Sequence, residues 1–301
     1  MVGSTLAYSL VVERVAGQIV LTDIDLDRAR GEARDINHAL PFSAPTTVIS
    51  GDTPDCAGSD VVVITAGAAQ KAGESRLSLV ERNVDIYRKI IPGLTEVAAD
   101  AVILIVSNPV DVLTYATIAI SGFPPHRVIG SGTVLDTARF RYEIGTHCGI
   151  DPRNVHAYIL GEHGDTEVAV WSLANLAGVP LADCCATCDR SCPPGAHQEL
   201  FERVRTAAYD IIRLKGATYY AIALGATRMV EAILRDQKSV VTASTLLNGQ
   251  YGLRDVCLSL PVVLGADGIA RVFEVPLSDE EQEQLKHSAS VLRQAIESVG
   301  L

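Results

Sequence analysis

Short apolar runs alternate with longer helical stretches through the first 130 residues, and this alternation constrains the fold more than any other feature of the chain. Runs rich in β-branched residues predict strands at 18–22, 48–50, 60–65, 101–107 and 127–129. Apolar residues at helical spacing predict helices between them, at 4–15, 26–38, 75–98 and 110–122. Strands that are joined by helices pair in parallel, so we expect a doubly wound, mostly parallel α/β sheet of the Rossmann type.

The pattern changes after about residue 130, where helical stretches mix with other β-rich runs. These runs predict largely antiparallel strands at 155–160, 240–247, 256–264 and 268–275. A last helix is predicted over 279–299, with Ser278 as its N-cap and acidic residues in its first turns. We therefore expect two domains, one at 1–130 and a mixed α+β domain at 131–301.

The net charge of −11 opposes binding to nucleic acid, because nucleic-acid-binding proteins present a basic surface. Apolar runs such as 61–64 and 101–106 are shorter than the roughly 18–20 residues that cross a bilayer, so no transmembrane helix is predicted. The apolar opening at 6–12 lacks the basic start of a secretory signal. We interpret it as helix and expect a cytoplasmic protein.

The seven cysteines give no clean disulfide framework because their number is odd, which favours a reducing compartment. Four of them form a cluster: Cys184, Cys185, Cys188 and Cys192. Thiolates at such spacings can bind zinc or an iron–sulfur cluster. However, the cluster lies in a loop-like segment that ends in two prolines and a glycine, and no second cluster follows it. We therefore expect an exposed connection between two helices, without a metal.

A dinucleotide-binding turn is present in part. Gly3 corresponds to the third glycine of a Gly-x-Gly-x-x-Gly turn, whose role is close packing of helix against strand. Asp23 ends the first predicted strand at the spacing from which a carboxylate binds the adenosine ribose hydroxyls. This spacing predicts NAD and not NADP as the cofactor of the domain at 1–130. The alternative is that Asp23 is a plain loop aspartate.

His163 lies between two glycines directly after an apolar run, so its ring is predicted to be displayed and not packed. Asp136 and Arg139 are three positions apart and share one face of a predicted helix. Hydride reduction of a keto acid needs a proton donor, and an aspartate beside a histidine favours the imidazolium. We predict His163 as acid/base, Asp136 as its orienting partner and Arg139 as the anchor of a substrate carboxylate. The alternatives are a structural histidine and a plain helix salt bridge.

Seven short motifs in a shared order span most of the chain. They are Thr65-Ala66-Gly67, Gly73-Glu74-Ser75-Arg76-Leu77, Ser107-Asn108-Pro109-Val110-Asp111, Gly130-Ser131-Gly132-Thr133, Asp136-Thr137-Ala138-Arg139, Gly161-Glu162-His163-Gly164-Asp165 and Lys215-Gly216-Ala217-Thr218-Tyr219-Tyr220. In these motifs the chain resembles the bacterial-type L-lactate dehydrogenases of the lactate/malate dehydrogenase superfamily. The resemblance implies a homotetramer that interconverts pyruvate and NADH with L-lactate and NAD⁺, in glycolysis and fermentation.

The resemblance also implies further site residues in both predicted domains. Gly67 and Ser107 would bind the cofactor, and Asn108 would contact cofactor and substrate at the carboxyl edge of the sheet. Thr218 is expected to line the substrate pocket in the domain at 131–301. For Ile222, which follows one turn later, core packing is nearly as good an interpretation.

Two more expected residues lie on a glycine-flanked segment that suits a lid. Arg76 would polarise the substrate carbonyl when the lid closes. The resemblance places Gln70 at the position where malate-type relatives have an arginine. That arginine pairs with the second carboxylate of oxaloacetate. A neutral glutamine leaves that charge unpaired, so the resemblance favours pyruvate as substrate.

Arg141 and His156 form a basic pair whose counterpart in bacterial relatives helps to bind fructose 1,6-bisphosphate across a subunit interface. Positive charge at a shared interface suits the phosphates of such an effector. The alternatives are a surface arginine and an ordinary strand histidine.

The family pattern has roughly 25 further residues before Met1, with the first strand and two glycines of the turn. That strand would lie in the middle of the sheet, so we expect its two neighbours to keep unpaired edges. A truncated or misassigned start is the favoured interpretation. The functional alternatives are a dehydrogenase for malate or another 2-hydroxy acid, and a non-catalytic subunit if the short start is genuine.

Overall fold

The computed structural model describes residues 1–43, 45–68, 76–187 and 195–301, with the main chain alone at 76–77 and 185–187. Helices and strands alternate up to residue 130, as predicted: α1 (Val2–Val12), β1 (Gln18–Leu21), α2 (Leu26–Ala39), β2 (Thr47–Ser50), β3 (Val61–Ile64), α3 (Arg76–Val97), β4 (Val102–Ile105), α4 (Val110–Ser121) and β5 (Val128–Gly130). Local signals set their ends. Asp25 caps α2 by accepting the amide of Arg28, and Gly122 ends α4 in the left-handed conformation.

The parallel strands divide into two sheets. Strand β1 pairs with β2, while β3, β4 and β5 pair in register with one another. Among the described residues, β1 and β3 each have one parallel neighbour and one edge without a hydrogen-bonded strand. The expected unpaired edges are therefore found on β1 and β3.

The remaining elements mix helices with short and long antiparallel strands. They are α5 (Val134–Cys148), β6 (Val155–His156), β7 (Ile159–Leu160), β8 (Val168–Ala169), β9 (Asn175–Leu176), β10 (Val179–Pro180), α6 (Leu181–Thr187), α7 (Ala196–Lys215), α8 (Tyr220–Leu234), β11 (Ser239–Asn248), β12 (Arg254–Gly265), β13 (Gly268–Val272) and α9 (Asp279–Ser298). The single strand predicted at 155–160 is two strands, because β6 pairs with β9 and β7 with β8. None of the described helices is both long and apolar enough to cross a bilayer.

One sheet continues across the predicted boundary at residue 130. Its order is β13–β12–β11–β5–β4–β3, and β5 meets β11 where Gly130 lies opposite Ser244. Gly130 has to be glycine, since an added Cβ would lie 2.4 Å from Thr114 Oγ1 and 2.7 Å from the Ser244 Cβ. The second glycine of this motif, Gly132, has a φ of +50°, and its Cβ would lie 2.5 Å from the Ser244 amide nitrogen.

The core lies on both faces of this six-stranded sheet. Ile103 and Ile105 of β4 pack with α3, α4 and α9, whereas Val102 and Leu104 pack with α1 and α8. Successive residues of a strand point to opposite faces, so β4 is buried on both sides. Helix α9 starts with the predicted Ser278 cap, which forms a reciprocal capping box with Glu281. Such a cap stabilises the helix by about 1 kcal/mol.

Candidate active site

Three charged side chains meet at the N-terminal end of α5. His163 Nδ1 lies 2.5 Å from Asp136 Oδ2, and Arg139 Nη1 donates to Asp136 Oδ1 at 3.0 Å. Asp136 is buried, with a side chain 4% exposed, while the ring of His163 is 23% exposed. The structure therefore brings together the three residues that the sequence predicts as acid/base, orienting carboxylate and substrate anchor.

The approach of His163 follows from how its loop is attached. Thr133 Oγ1 donates to the carbonyl of Ile159 at 2.5 Å, and the amide of Ile159 donates to Thr137 Oγ1 at 3.0 Å. These bonds tie β7 to the first turn of α5, which also carries Asp136. Gly161 then turns the chain with a φ of +85°, and His163 follows two residues later.

The charges around His163 decide its protonation state. Burial lowers the pKa of the ring, but the carboxylates of Asp136, Asp111 and Glu167 more than compensate and raise that pKa to about 9. Burial also raises the pKa of Asp136, yet His163 and Arg139 outweigh it, so the pKa of Asp136 lies below its ordinary value. At neutral pH the site therefore holds an imidazolium on a carboxylate, with Nδ1 engaged and Nε2 directed away from Asp136.

Arg139 is largely buried, with a side chain 14% exposed, and a charge in such surroundings interacts more strongly with an opposite charge than it does in water. Within the described part of the chain, its hydrogen bond to Asp136 uses one of the guanidinium's five donors. The salt bridge considered from the sequence is thus present, and it provides the counter-charge that a buried guanidinium needs. The remaining donors form a fork suited to a carboxylate.

Two further buried carboxyls lie near the ring, and the sequence analysis missed both as site residues. Asp111, in the first turn of α4, accepts the amide of His163 through Oδ2 at 2.8 Å. Glu167 is 8% exposed, and its Oε1 has no hydrogen-bond partner in the described structure. Burial raises the pKa of Asp111 to about 6 and that of Glu167 to about 8. One signal was available for Asp111, which is a charge inside the otherwise apolar segment 110–120.

The predicted cofactor residues lie where β3 and β4 end. Ser107 Oγ donates to the carbonyl of Ala66 at 2.7 Å, and a Cβ added to Gly67 would lie 3.4 Å from that of Ser107. Asn83, which the sequence analysis did not single out, joins the two loops, since it binds the Ala68 amide at 2.7 Å and the Asn108 carbonyl at 3.0 Å. Gly67, Ser107 and Asn108 therefore form one rim at the carboxyl edge of the sheet.

Asp23 and Gly3 are the two residues predicted to contact the adenosine half of the cofactor. Asp23 is exposed directly after β1, with Oδ1 accepting the amide of Asp25 at 3.0 Å. Gly3 lies at the start of α1, where an added Cβ would lie 2.8 Å from Thr65 Oγ1 at the end of β3. A carboxylate after one strand and a glycine-only contact between helix and strand fit a dinucleotide.

Several other predicted residues are less closely connected to these groups. Thr218 lies half-buried between α7 and α8, and Ile222 packs with the core cluster beneath α8, as its alternative interpretation expected. Arg76 is the first residue of α3, and its side chain, like the whole of Gln70, lies outside the described residues.

The two predicted effector residues belong to segments that contact each other through the main chain of Ala157. Arg141 Nε donates to the carbonyl of Ala157 at 3.1 Å, and Ala157 directly follows the exposed His156 of β6. The guanidinium also lies 5.6 Å from the ring centre of Tyr158. Burial lowers the pKa of Arg141 from its ordinary value, and Tyr158 opposes this effect.

The cysteine cluster differs from its description as a loop. Cys184 and Cys185 lie in helix α6, because the segment Leu181–Thr187 continues directly from β10. Cys188 and Cys192 lie outside the described residues. Within the ranges that the structure describes, no group of three or more histidine, cysteine or acidic side chains is arranged to hold a metal.

Comparisons with known proteins agree with this geometry. Residues 1–130 match the NAD-binding domain of lactate/malate dehydrogenases, and residues 133–300 match their α/β C-terminal domain. The L-lactate dehydrogenase of Acetivibrio thermocellus is 52% identical over 300 residues, which cover all of this chain and 95% of the relative. L-lactate dehydrogenase 1 of Clostridium acetobutylicum is 49% identical over 298 residues, which cover 99% of this chain and 95% of the relative.

Solved structures give the same result. A lactate dehydrogenase from a Medee basin deep-sea metagenome superimposes with a TM-score of 0.96 at 42% identity, with 100% of this chain and 96% of that one covered. The minor L-lactate dehydrogenase of Enterococcus mundtii superimposes with a TM-score of 0.96 at 38% identity and the same coverage.

Proposed function

The chain belongs to the lactate/malate dehydrogenase family, and from this premise we propose that it is an NAD-dependent L-lactate dehydrogenase. It interconverts pyruvate and NADH with L-lactate and NAD⁺. Support for this specific activity comes from the curated L-lactate dehydrogenases, which are about 50% identical across the chain.

The observation that carries the proposal is the ion triad of His163, Asp136 and Arg139. Reduction of a 2-oxo acid places negative charge on the carbonyl oxygen, which must receive a proton. His163 donates that proton from Nε2, because Nδ1 is held by Asp136 at 2.5 Å. Arg139 binds the substrate carboxylate, and Asp136 keeps this guanidinium neutralised in the absence of substrate.

The proton balance of the cycle is simple. One proton leaves His163 for the product hydroxyl, and the ring regains a proton from solvent before the next reduction. In lactate oxidation the neutral ring removes the hydroxyl proton, so the two directions require opposite protonation states. Because the carboxylates raise the pKa of His163 to about 9, reduction is favoured at neutral pH and oxidation at alkaline pH.

The cofactor is NAD, and its fit is supported by residues on both sides of the carboxyl edge. Asp23 would hold the adenosine ribose, Gly3 allows close contact between α1 and β3, and Gly67, Ser107 and Asn108 would border the nicotinamide side. Bound NADH supplies the hydride. The protein's part is to hold the substrate carbonyl between the bound nicotinamide and the ring of His163.

Substrate choice and carbonyl polarisation are assigned to the lid. Gln70 disfavours a second substrate carboxylate, because an amide cannot neutralise it, and Arg76 polarises the carbonyl from the start of α3. Thr218 is proposed to line the pocket near the methyl group of pyruvate. These roles rest on the family resemblance of the two segments.

We also propose a cytoplasmic homotetramer that is activated by fructose 1,6-bisphosphate. The support is that Arg141 Nε binds the main-chain carbonyl of Ala157, the residue after the exposed His156, so the two predicted effector residues belong to neighbouring segments. Binding of one bisphosphate by such pairs from two subunits would stabilise the assembly by linkage.

Steady-state kinetics test the activity. We expect NADH to be preferred over NADPH, since Asp23 repels a 2′-phosphate, and pyruvate to be preferred over oxaloacetate. A larger kcat/KM for oxaloacetate than for pyruvate would indicate a malate dehydrogenase instead. Absence of NADH binding in a fluorescence titration would support the non-catalytic alternative.

A further inference from the structure

Three consecutive amides hold the histidine loop, and each binds a different element. The Gly161 amide donates to the Ser259 carbonyl of β12 at 3.0 Å, and the Glu162 amide donates to Ser288 Oγ of α9 at 2.7 Å. The His163 amide donates to Asp111 Oδ2 of α4 at 2.8 Å. The third acceptor differs from the other two because it carries a charge.

Asp111 also connects the histidine to the cofactor rim. It lies in the first turn of α4, three residues after Asn108, whose carbonyl is bonded to Asn83. A shift of α4 would therefore move Asn108 and the main chain of His163 together. Neither Ser259 nor Ser288 provides such a link, because both belong to elements of the second half of the chain.

The surroundings of Asp111 do not favour a charge for stability alone. Its side chain is 2% exposed, and Oδ1 has no hydrogen-bond partner among the described residues. Burying a carboxylate with so few partners costs free energy. The groups that face it are His163 and Glu162 of the loop, Ser244 of β11 and Cys257 of β12. Of these, His163 is the cation.

We propose that Asp111 is a second positioning residue for the acid/base histidine, fixing its main chain relative to Asn108 while its negative charge favours the imidazolium. This inference rests on the proposed function and assigns to Asp111 a role separate from that of Asp136. Asp136 orients the ring through Nδ1. Asp111 instead holds the main-chain amide of His163, and its negative charge stabilises the protonated ring electrostatically. Asp111 touches neither substrate nor cofactor in this assignment.

Other charges act on His163 as well, and the test must separate them. Asp136 and Glu167 face the ring together with Asp111; Arg139 is bonded to Asp136, and Arg205 lies near Glu167. Burial raises the pKa of Asp111 to about 6, so its carboxyl is largely ionised at neutral and alkaline pH and largely neutral in acidic solution.

The experiment compares Asp111→Asn, Asp111→Ala and the control Ser288→Ala. The asparagine can still accept the His163 amide but carries no charge, the alanine loses both properties, and the control removes a neutral acceptor from the neighbouring amide. The protonation midpoint of His163 is measured by NMR of the ring Cε1–H, assigned with His163→Asn. The kcat and KM for pyruvate are measured across the same pH range, and NADH binding is measured by fluorescence.

In Asp111→Asn the midpoint of His163 is expected to fall by about 1 pH unit, as removal of a nearby buried charge requires, with kcat near neutral pH largely kept. In Asp111→Ala the midpoint falls equally, and kcat falls by about 100-fold from misplacement of the ring, with little change in KM. Ser288→Ala leaves the midpoint in place. If the alanine variant does not fold, the asparagine variant alone decides the electrostatic role.

An unchanged midpoint in Asp111→Asn, an equal fall in Ser288→Ala, or a kcat in Asp111→Ala no lower than that of Asp111→Asn would overturn the inference. The NMR titration needs no turnover, so its result remains decisive even if the wild-type protein fails to reduce pyruvate. In that case the proposed function fails on its own test, and the effect of Asp111 on His163 is still determined.

Discussion

Replacing Asp136 with asparagine should convert the acid/base histidine from a protonated to a largely neutral ring at the pH of catalysis. The side chain of Asp136 is 4% exposed and lies 2.5 Å from His163 Nδ1. Asparagine has nearly the same shape, so the change removes the charge and little volume. It also allows the ring to adopt the wrong tautomer, because the amide can donate to Nδ1.

The magnitude follows from the raised pKa of His163. A value of about 9, against the ordinary 6.5, corresponds to about 3 kcal/mol in favour of the imidazolium. Asp136 is the largest of the raising influences, and burial of the ring persists without it, so we expect the pKa of His163 to fall to about 6.5 or below. At pH 8 only about 3% of the rings would then be protonated.

The assay is kcat/KM for pyruvate reduction from about pH 5.5 to 9.5, which reports the essential acid before substrate binds. Loss of protonation alone should lower the variant about thirtyfold at pH 8, with a further pH-independent loss from the tautomer. Between pH 6.5 and 9 the ratio of wild-type to variant activity should rise by about tenfold per pH unit.

Asp165→Asn is the matched control. Asp165 lies two residues from His163 but accepts a hydrogen bond from Tyr209 Oη at 3.1 Å. Its replacement should leave the alkaline limb of the profile near pH 9. A loss of activity by the same factor at every pH in Asp136→Asn would contradict this prediction, because the carboxylate would then act on geometry alone.

Three further predictions concern specificity, stability and regulation. Gln70→Arg should raise kcat/KM for oxaloacetate relative to pyruvate by about 100-fold, since a guanidinium pairs the second carboxylate; an unchanged ratio would remove Gln70 from substrate choice. Burial raises the pKa of Glu167 from 4.5 to about 8, so ionisation of this carboxyl destabilises the folded protein. The free energy of unfolding is therefore unaffected by this group below pH 4.5 and falls progressively as the pH rises from 4.5 to about 8. Glu167→Gln should therefore increase the free energy of unfolding by about 2 kcal/mol near pH 8.5 and little near pH 4.5, and urea denaturation showing equal effects at both would contradict it. Fructose 1,6-bisphosphate is expected to lower the pyruvate concentration at half-saturation, and Arg141→Gln should abolish this effect. A wild-type enzyme whose half-saturation does not change with the effector would contradict the proposed effector site.

The fold was predictable where local signals are strong. Helix α9 needs only the Ser278 cap and an amphipathic repeat, and the first five strands are short runs rich in β-branched residues. The strands β6 to β10 have two residues each, too few to show a period, and their pairing depends on tertiary contacts. The joining of β5 to β11 was equally hidden, because Gly130 and Ser244 are far apart in the chain.

The site was predictable to the extent that its residues lie in short motifs. Asp136, Arg139 and His163 have diagnostic spacing and neighbours, and the structure brings them together. Asp111 and Glu167 were missed as site residues because their importance comes from burial, which a local pattern does not report. A carboxylate in an apolar helical segment remains the one sequence signal that could have identified Asp111.

Replacing His163 with asparagine removes the proposed proton donor from the active site. The substitution keeps a polar side chain in the loop but removes the proton donor. NADH should therefore still bind, as measured by fluorescence titration. Pyruvate reduction, followed by the loss of NADH absorbance, should fall by about 10³-fold or more. Turnover that remains at the wild-type level would contradict the assignment of His163 as the acid that protonates the substrate oxygen.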